Sequence, residues 1–331
     1  MCCVLEQSLG MSVDSSQLWT LTDGHAGNRR QATALAEALG LGPAREWIVR
    51  PPAPWRWLAP RRLPGAACAL GDALSDALGA APGQPALAIG CGRQAALATR
   101  LLRERGSRSV QILDPRIDPA HWDAVIAPEH DGLDGPNVIT LAGSLTPVDD
   151  AWLADARARF AAFAALPSPR TALLLGGDSA HARFDLEAFD LLAARLHSAL
   201  ERDGGSVLAT TSRRTPRPVI DALRVRHARL PGLAWCGEDD RPNPYAGLLG
   251  WADRIVCTPD SVNMVSEACA TRAPVYVFDP AGVSGRPARF IGSLLRRGRI
   301  RAMDAALAPF EVQPLRETAR VAAQVRDRLG L

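Results

Sequence analysis

Short apolar runs alternate with helical periodicities along most of the chain, the pattern of parallel strands covered by helices. Leu18 to Thr22 predicts a first strand; the turn Asp23-Gly24-His25-Ala26-Gly27-Asn28 follows, then a helix to Leu39 with Gly40 as its stop. Arg45 to Arg50, Ala86 to Ile89, Val110 to Leu113 and Ala124 to Ala127 read as further strands. An Ala- and Arg-rich amphipathic helix fills Thr146 to Leu166, and Pro167-Ser168-Pro169 breaks it. The alternation then restarts, with strands at Thr171 to Leu175, Ser206 to Thr210, Leu233 to Trp235, Ile255 to Cys257 and Val275 to Phe278, and a last helix from Leu315 to Leu329. The expected class is α/β, with two Rossmann-like doubly wound parallel-sheet domains at 17–166 and 167–331. The last helix is free to pack back on the first domain. Residues 1–16 read as a disordered leader, or as an extended gene start with Met11 the true one.

Composition narrows the chemistry. At 331 residues there is room for two ordinary domains, and 47% hydrophobic with 22% charged residues is the balance of a soluble globular protein. Every basic side chain among the 38 is Arg, which excludes a P-loop lysine and a lysine Schiff base. A net charge of +3 with no basic run interleaved with aromatics argues against nucleic acid as a partner. The seven cysteines have no paired metal spacing and read as small apolar residues in a reducing cytosol. No apolar run is long enough to span a membrane, so the cytoplasm is the expected location. Asp149-Asp150 and Glu238-Asp239-Asp240 read as solvated charges, and neither a metal nor a cofactor is expected.

Candidate chemistry gathers where strands end, the place where parallel sheets bind ligands. After the first strand, Asp23, Gly24, Gly27 and Asn28 form either a ligand loop or a tight turn with an Asn cap. Gly92 and Arg93 follow another strand, and Arg93 is suited to a phosphate, a carboxylate or a surface ion pair. Asp114 and Arg116 follow the next. Glu129, His130 and Asp131 offer an imidazole tunable by two carboxylates, either a general base or a solvated loop histidine. In the second half Gly176 and Gly177, then Ser212, Arg213, Arg214 and Thr215, then Asn243 and Tyr245, terminate successive strands. Paired arginines at a helix start oppose its dipole unless an anion is present, which favours a diphosphate. Asp260 and Ser261 open a helix carrying Met264 and Glu267; Glu267 either accepts both hydroxyls of a ribose or faces water. The stretch Pro51 to Pro64 is too rich in proline for regular structure. Its Trp55 and Trp57 beside Arg56, Arg61 and Arg62 fit either a loop tucked on the core or a patch for peripheral membrane contact. In the tail, Arg289 is within reach of a phosphate and most other arginines face water.

These pieces together resemble one family: Trp19-Thr-Leu-Thr-Asp-Gly24 with Gly27-Asn28 and Gln31, Gly90-Cys-Gly-Arg93, Gln111-Ile-Leu-Asp-Pro-Arg116, Ala127-Pro-Glu-His-Asp-Gly132, Leu175-Gly-Gly177, Thr211-Ser-Arg-Arg-Thr-Pro216, Asn243-Pro-Tyr245, and Asp260-Ser261 through Met264-Val-Ser-Glu-Ala268. It is the mitochondrial-fission "elongated mitochondria" (Elm) family, with plant and many bacterial members, and the match runs from Trp19 to about Phe278. The resemblance implies a GT-B-like glycosyltransferase fold, two domains facing across a cleft. The second domain would bind a nucleoside-diphosphate sugar, with Glu267 on the ribose, Asp260, Ser261 and Met264 lining the pocket, and Gly176, Gly177, Ser212 and Arg213 on the diphosphate. The first would take an envelope or lipid-linked acceptor with the Asp23 loop. His25 departs from the family's usual residue, which puts the base at Asp23, with His130 second. The plant members help a dynamin-like protein reach mitochondria, a scaffold role with no counterpart in a bacterial cell. Three expectations result: metal-independent sugar transfer to such an acceptor, a non-catalytic nucleotide-binding scaffold with a protein partner, and a nucleoside-diphosphate-sugar epimerase.

Overall fold

The structure, a computed structural model, describes residues 17–79, 83–237, 240 and 242–331. The expected leader, and Glu238 and Asp239 of the acidic loop, lie outside these residues. The chain forms two compact units. Unit 1 holds the described residues up to Ala127, Leu133–Thr140 and Thr318–Leu331; unit 2 holds Pro128–Gly132 and Leu141–Glu317.

In unit 1 the elements are β1 (Leu18–Thr22), α1 (Ala26–Leu39), β2 (Arg45–Ile48), α2 (Trp55–Leu58), α3 (Asp72–Gly79), β3 (Leu87–Cys91), α4 (Arg93–Glu104), β4 (Arg108–Ile112), β5 (Ala124–Pro128) and β6 (Val138–Leu141). They make a six-stranded sheet of order β2-β1-β3-β4-β5-β6. Unit 2 follows with α5 (Asp150–Arg159), β7 (Arg170–Leu175), α6 (Leu186–Asp203), β8 (Ser206–Thr211), α7 (Arg217–His227), β9 (Gly232–Trp235), α8 (Tyr245–Trp251), β10 (Arg254–Cys257), α9 (Val262–Cys269), β11 (Val275–Val277), α10 (Gly285–Arg296) and β12 (Ile300–Ala302). Its sheet runs β12-β11-β10-β7-β8-β9, with every pairing parallel. The last helix, α11 (Thr318–Leu329), returns to unit 1, where Arg326 donates to the carbonyls of Ala38 and Leu39 at the end of α1.

The unit 2 core follows from strand periodicity. Leu173 and Leu175 pack with Val256 and Tyr276 on one face, whereas Ala172, Leu174, Ile255, Cys257, Val275 and Val277 pack on the other. Because alternate side chains point to opposite faces, a sheet covered on both sides requires uninterrupted apolar runs. Each sheet has one strand more than expected, β6 and β12. The buried Cys91, Cys257 and Cys269 behave as apolar residues, and burial pushes the Cys269 thiol up to about 12. Two expected elements differ. The Pro-rich stretch contains the single turn α2, and the helix expected over Thr146 to Leu166 is α5 followed by a 3₁₀ segment, Ala161–Ala165.

The chain crosses from unit 1 at Thr140 and Leu141, not at Pro167, because α5 packs in unit 2, where its Arg157 donates to the carbonyl of Gly250 on α8 at 2.7 Å. The 129–131 turn also belongs to unit 2, held by three arginines around α10: Arg286 on Asp131 at 3.1 Å, Arg289 on the His130 carbonyl at 2.9 Å, and Arg297 on Glu129 at 2.7 Å. So Arg289 is engaged by a backbone carbonyl and Arg286 and Arg297 by carboxylates, while Arg296, Arg297 and Arg301 are exposed, as expected of most of the tail arginines. Arg299 is buried and donates to the carbonyls of Cys269 at 2.9 Å and Thr271 at 3.0 Å, and to those of Ala268 and Ala273 at 3.3 Å, closing the end of α9 with a positive charge.

Two stability outcomes are expected. Arg299→Leu orphans buried carbonyls and should lower the thermal midpoint by roughly 6–12 °C, the shift produced by about 3 kcal/mol in a unit of this size. Arg301→Ala, whose guanidinium rests over Phe310 at 4.3 Å, should change it by about 2 °C or less; equal shifts would refute the capping role. The His130 ring packs against Phe290, tilted, with ring centroids 5.4 Å apart, and burial lowers its proton affinity; Arg289 and Arg286 lower it further, against Asp131 and Glu129. The unfolded chain therefore binds more protons between the ordinary histidine value of about 6.5 and the lower folded value. Stability should fall as pH drops through that window and level off below it. His130→Gln should make the decline in midpoint from neutral to mildly acidic pH shallower, and an unchanged slope would contradict the assignment.

Candidate functional site

In unit 2 the strand order reverses between β7 and β10, and a crevice-forming switch point lies at their carboxyl ends. Three loops meet on one carboxylate there. Gly177 donates its N–H to Asp260 Oδ2 at 3.1 Å, the Thr258 hydroxyl donates to Oδ1 at 2.6 Å, and Arg214 after β8 donates to Oδ2 at 2.5 Å. The Asp260 side chain is 1% exposed. Gly176 donates its N–H to Thr258 Oγ1 at 2.8 Å. A Cβ on Gly176 would lie 1.9 Å from Asp260 Oδ1, and one on Gly177 would lie 2.0 Å from the Arg214 carbonyl oxygen, so only glycine fits either position.

The loop after β8 is folded by its own hydroxyls. Ser212 donates its N–H to Thr215 Oγ1 at 2.9 Å, Arg214 donates its N–H to Ser212 Oγ at 3.1 Å, and the Thr215 hydroxyl bonds the Gly176 carbonyl. Arg213, next to the engaged Arg214, is exposed and pairs with no described residue. Ser261 caps α9, accepting from the Met264 N–H at 3.3 Å, and the first turn of that helix carries no acid. Asn243 accepts from the Tyr245 N–H at 2.9 Å. Glu267 is only 3% exposed and accepts from the Tyr245 hydroxyl at 2.5 Å, so it neither faces water nor presents a free carboxylate.

Unit 1 has its own switch point, between β1 and β3. Helix α1 begins at Ala26, one turn earlier than an Asn28 cap requires, so Gly27 and Asn28 lie inside it. Asn28 Nδ2 donates to both oxygens of Asp23, at 3.0 and 3.1 Å, and Gly92 packs so closely that a Cβ would lie 2.7 Å from that nitrogen. Gly24 sits at φ +84°, against Ile48. His25 Nδ1 lies 3.0 Å from Asp23 Oδ2, while its ring is 75% exposed. Arg93 donates to the carbonyls of Trp57 and Arg56, at 2.7 and 3.3 Å, and so fastens α2. Asp114 accepts from the Arg116 N–H at 2.7 Å, and the flanking Leu113 and Arg116 hold left-handed backbone, φ 73° and 65°. Such conformations cost about 1–3 kcal/mol each and concentrate at functional sites.

Glu129, His130 and Asp131 join α10 of unit 2 instead of lining a first-domain acceptor site, since the arginines around α10 hold all three. Asp149 caps α5, Asp150 pairs with Arg272 and Arg316, and Asp240 pairs with Arg224 at 2.8 Å, so these acids are ion-paired or capping. Among the described residues no cluster of His, Cys, Asp and Glu side chains could hold a metal ion. Sequence reasoning takes Thr258 as a turn residue only, gives Gln111 no role beyond its motif, and misses the orientation of His25. Gln111 is fully buried and donates to the carbonyls of Gly92 and Ile112, at 3.2 and 2.7 Å. A polar residue inside an apolar strand run is the signal that could have found it.

No helix among the described residues is long and apolar enough to cross a membrane. The UDP-GlcNAc 2-epimerase from Methanocaldococcus jannaschii superposes with a TM-score of 0.59 at 14% identity, covering 95% of this chain and 99% of that one. UDP-N-acetylglucosamine 2-epimerase from Rickettsia bellii gives 0.54 at 13% identity, covering 94% of each chain. At such identities the likeness is one of fold, the GT-B-like fold of two Rossmann-like domains. "Uncharacterized protein RP120" of Rickettsia prowazekii (strain Madrid E) is 25% identical over 360 residues, 95% of this chain and 99% of that one. "Mitochondrial fission protein ELM1" of Arabidopsis thaliana is 30% identical over 277 residues, 74% of this chain and 64% of that protein, so the chain spans less than two thirds of that relative. Residues 26–329 match the family described as Mitochondrial fission ELM1, and the chain belongs to that family.

Proposed function

We propose that this protein transfers a sugar from a nucleoside diphosphate, held by unit 2, to an envelope or lipid-linked acceptor in the cytoplasm. The observation that carries the reading is the switch point at β7 and β10. There, glycines that only a close backbone approach explains, the start of α9, whose first turn carries no acid, and Arg213, which pairs with no described residue, converge where a diphosphate would sit. A UDP-GlcNAc 2-epimerase of the same fold was solved with UDP-GlcNAc and UDP, which makes uridine diphosphate sugars the first probes.

In the reaction, the acceptor oxygen bonds the anomeric carbon as the bond from that carbon to the diphosphate oxygen breaks. The electron pair departs with the diphosphate, whose charge Arg213 stabilises while Arg214 stays paired with Asp260. The acceptor proton goes to Nε2 of His25, while Asp23 holds Nδ1–H and fixes the tautomer. Asp23 thus becomes a positioning residue instead of the base. Glu267, closed off by Tyr245, positions the Asn243–Tyr245 loop through that phenol instead of meeting the ribose directly.

A panel of uridine, guanosine, thymidine and adenosine diphosphate sugars should contain one that raises the thermal midpoint, since a ligand at one hundred times its Kd adds about 2.7 kcal/mol. Arg213→Ala should weaken that ligand roughly 10–100-fold by calorimetry, the loss of one charge-assisted contact. A panel with no shift would count against donor binding altogether. His25→Ala should leave the Kd unchanged and slow transfer about 10²–10⁴-fold; full activity in that variant would remove His25 from the mechanism. Donor turnover at full rate without acceptor, yielding an epimer, would replace transfer by epimerisation.

A further inference from the structure

Four of the nine large hydrophobic side chains exposed among the described residues fall within the short segment from Ile48 to Leu63: Ile48 at 48%, Trp57 at 60%, Leu58 and Leu63 at 36%. Arg50, Arg56, Arg61 and Arg62 are exposed among them. From Trp47 to Gly71 the chain contains no Asp, Glu, Ser, Thr, Asn, Gln or His; every side chain is apolar, Pro, Gly, Cys or Arg. Glu46, just before, is engaged by Arg29 at 2.8 Å.

The exposure is built into the fold. Trp55 is half-buried against the unit 1 core, and two residues along a helix is about half a turn, so Trp57 points away from the core. Arg93 anchors the turn through the Trp57 and Arg56 carbonyls, and the Arg56 guanidinium lies 5.1 Å from the Trp57 ring centroid.

We infer that this face of unit 1 docks on an anionic lipid bilayer, with Trp57, Leu58 and Leu63 in the interfacial layer and the arginines on lipid phosphates. A protein interface requires a polar rim and on the order of ten direct hydrogen bonds. This surface offers side-chain donors almost only from arginine and indole, the pair suited to phosphate headgroups at a membrane boundary. The docked face adjoins the unit 1 switch point, since Ile48 packs against Gly24 and Arg93 follows Gly92. A lipid-linked acceptor would thereby be delivered beside His25. The docking itself does not rest on the transfer reading, because it is measured without nucleotide.

The test is co-sedimentation of the full chain with phosphatidylcholine vesicles, plain or with about 30% phosphatidylglycerol, at low and high salt. Binding should require the anionic lipid and weaken with salt. Arg56→Gln and Arg61→Gln should each weaken it roughly fivefold. Trp57→Ser should weaken it more, and Val225→Ser, which removes the 73% exposed Val225 of unit 2, should leave it unchanged. Vesicles with brominated acyl chains should quench part of the emission of the eight tryptophans, and Trp57→Phe should abolish that quenching while keeping the binding. No binding to anionic vesicles, or binding indifferent to Trp57→Ser and Arg61→Gln, would overturn the assignment and leave the face to a protein partner or to solvent. Nucleotide affinity measured on the same variants would be untouched either way, which separates this failure from failure of the donor site.

Discussion

The site in unit 2 is governed by one buried charge. A carboxylate removed from water is stable only if its oxygens are met by donors, and stripping a partner from a buried charge costs about 3–5 kcal/mol. Asp260 meets that demand by drawing in the loops after β7, β8 and β10 together, through Gly177, Arg214 and Thr258. None of those loops can then shift alone. The constraint also explains which residues stand there: glycine where the backbone must come within van der Waals contact of a carboxylate or a carbonyl, Thr where one hydroxyl must both accept and donate. Arg214 neutralises Asp260, and Arg213 is left without a partner among the described residues. The proposed anion site would therefore be preorganised, its rigidity supplied by residues that need not touch the ligand.

The same device recurs at the other strand ends. In unit 1 Asn28 holds the Asp23 carboxylate while Gln111 holds the Gly92 carbonyl, so both loops of the β1–β3 switch point are fixed by buried or half-buried amides. In unit 2 the carbonyl end of α9 is closed by Arg299, and its side is fixed by Ser266, whose hydroxyl accepts from the Ser144 N–H at 3.0 Å. A short helix of this kind has little stability of its own, and its position is set by such ties. Consequently its N-terminus is held in one place relative to Gly176 and Gly177, which an anion site built on a dipole requires.

Much of the fold is legible in the sequence because a strand buried on both faces leaves an unbroken apolar run, as in Leu173-Leu174-Leu175 or Ile255-Val256-Cys257. The missed strands, Val138–Leu141 and Ile300–Ala302, sit at sheet edges and include exposed positions, so their runs are too short to stand out. The crossing between units was hidden for a different reason. Proline clusters mark stiff segments, but the passage at Leu141 is set by what α5 packs on, and the 129–131 turn is claimed by arginines more than 150 positions downstream. At the site, glycines and arginines after strands announce themselves by position alone. The burial of Glu267 does not, since its partner Tyr245 belongs to another helix and nothing in the spacing records that contact.

The family name describes fission of mitochondria, and a binding scaffold would need the grip of unit 2 but no base. The bearing feature is therefore the Asp23–His25 pair. If the loop after β1 served packing alone, Asp23 with Asn28 would suffice: that pair already closes the turn, accepts the His25 N–H and supports Gly92. An imidazole held by one nitrogen on a carboxylate, with its ring in solvent, adds nothing to that packing. It places a proton acceptor of fixed tautomer at the strand end where α/β sheets do chemistry. Left-handed backbone at Leu113 and Arg116, two strands along the same sheet, adds local strain. Recruitment alone calls for neither feature, and the proposed transfer accounts for the Asp23–His25 pair.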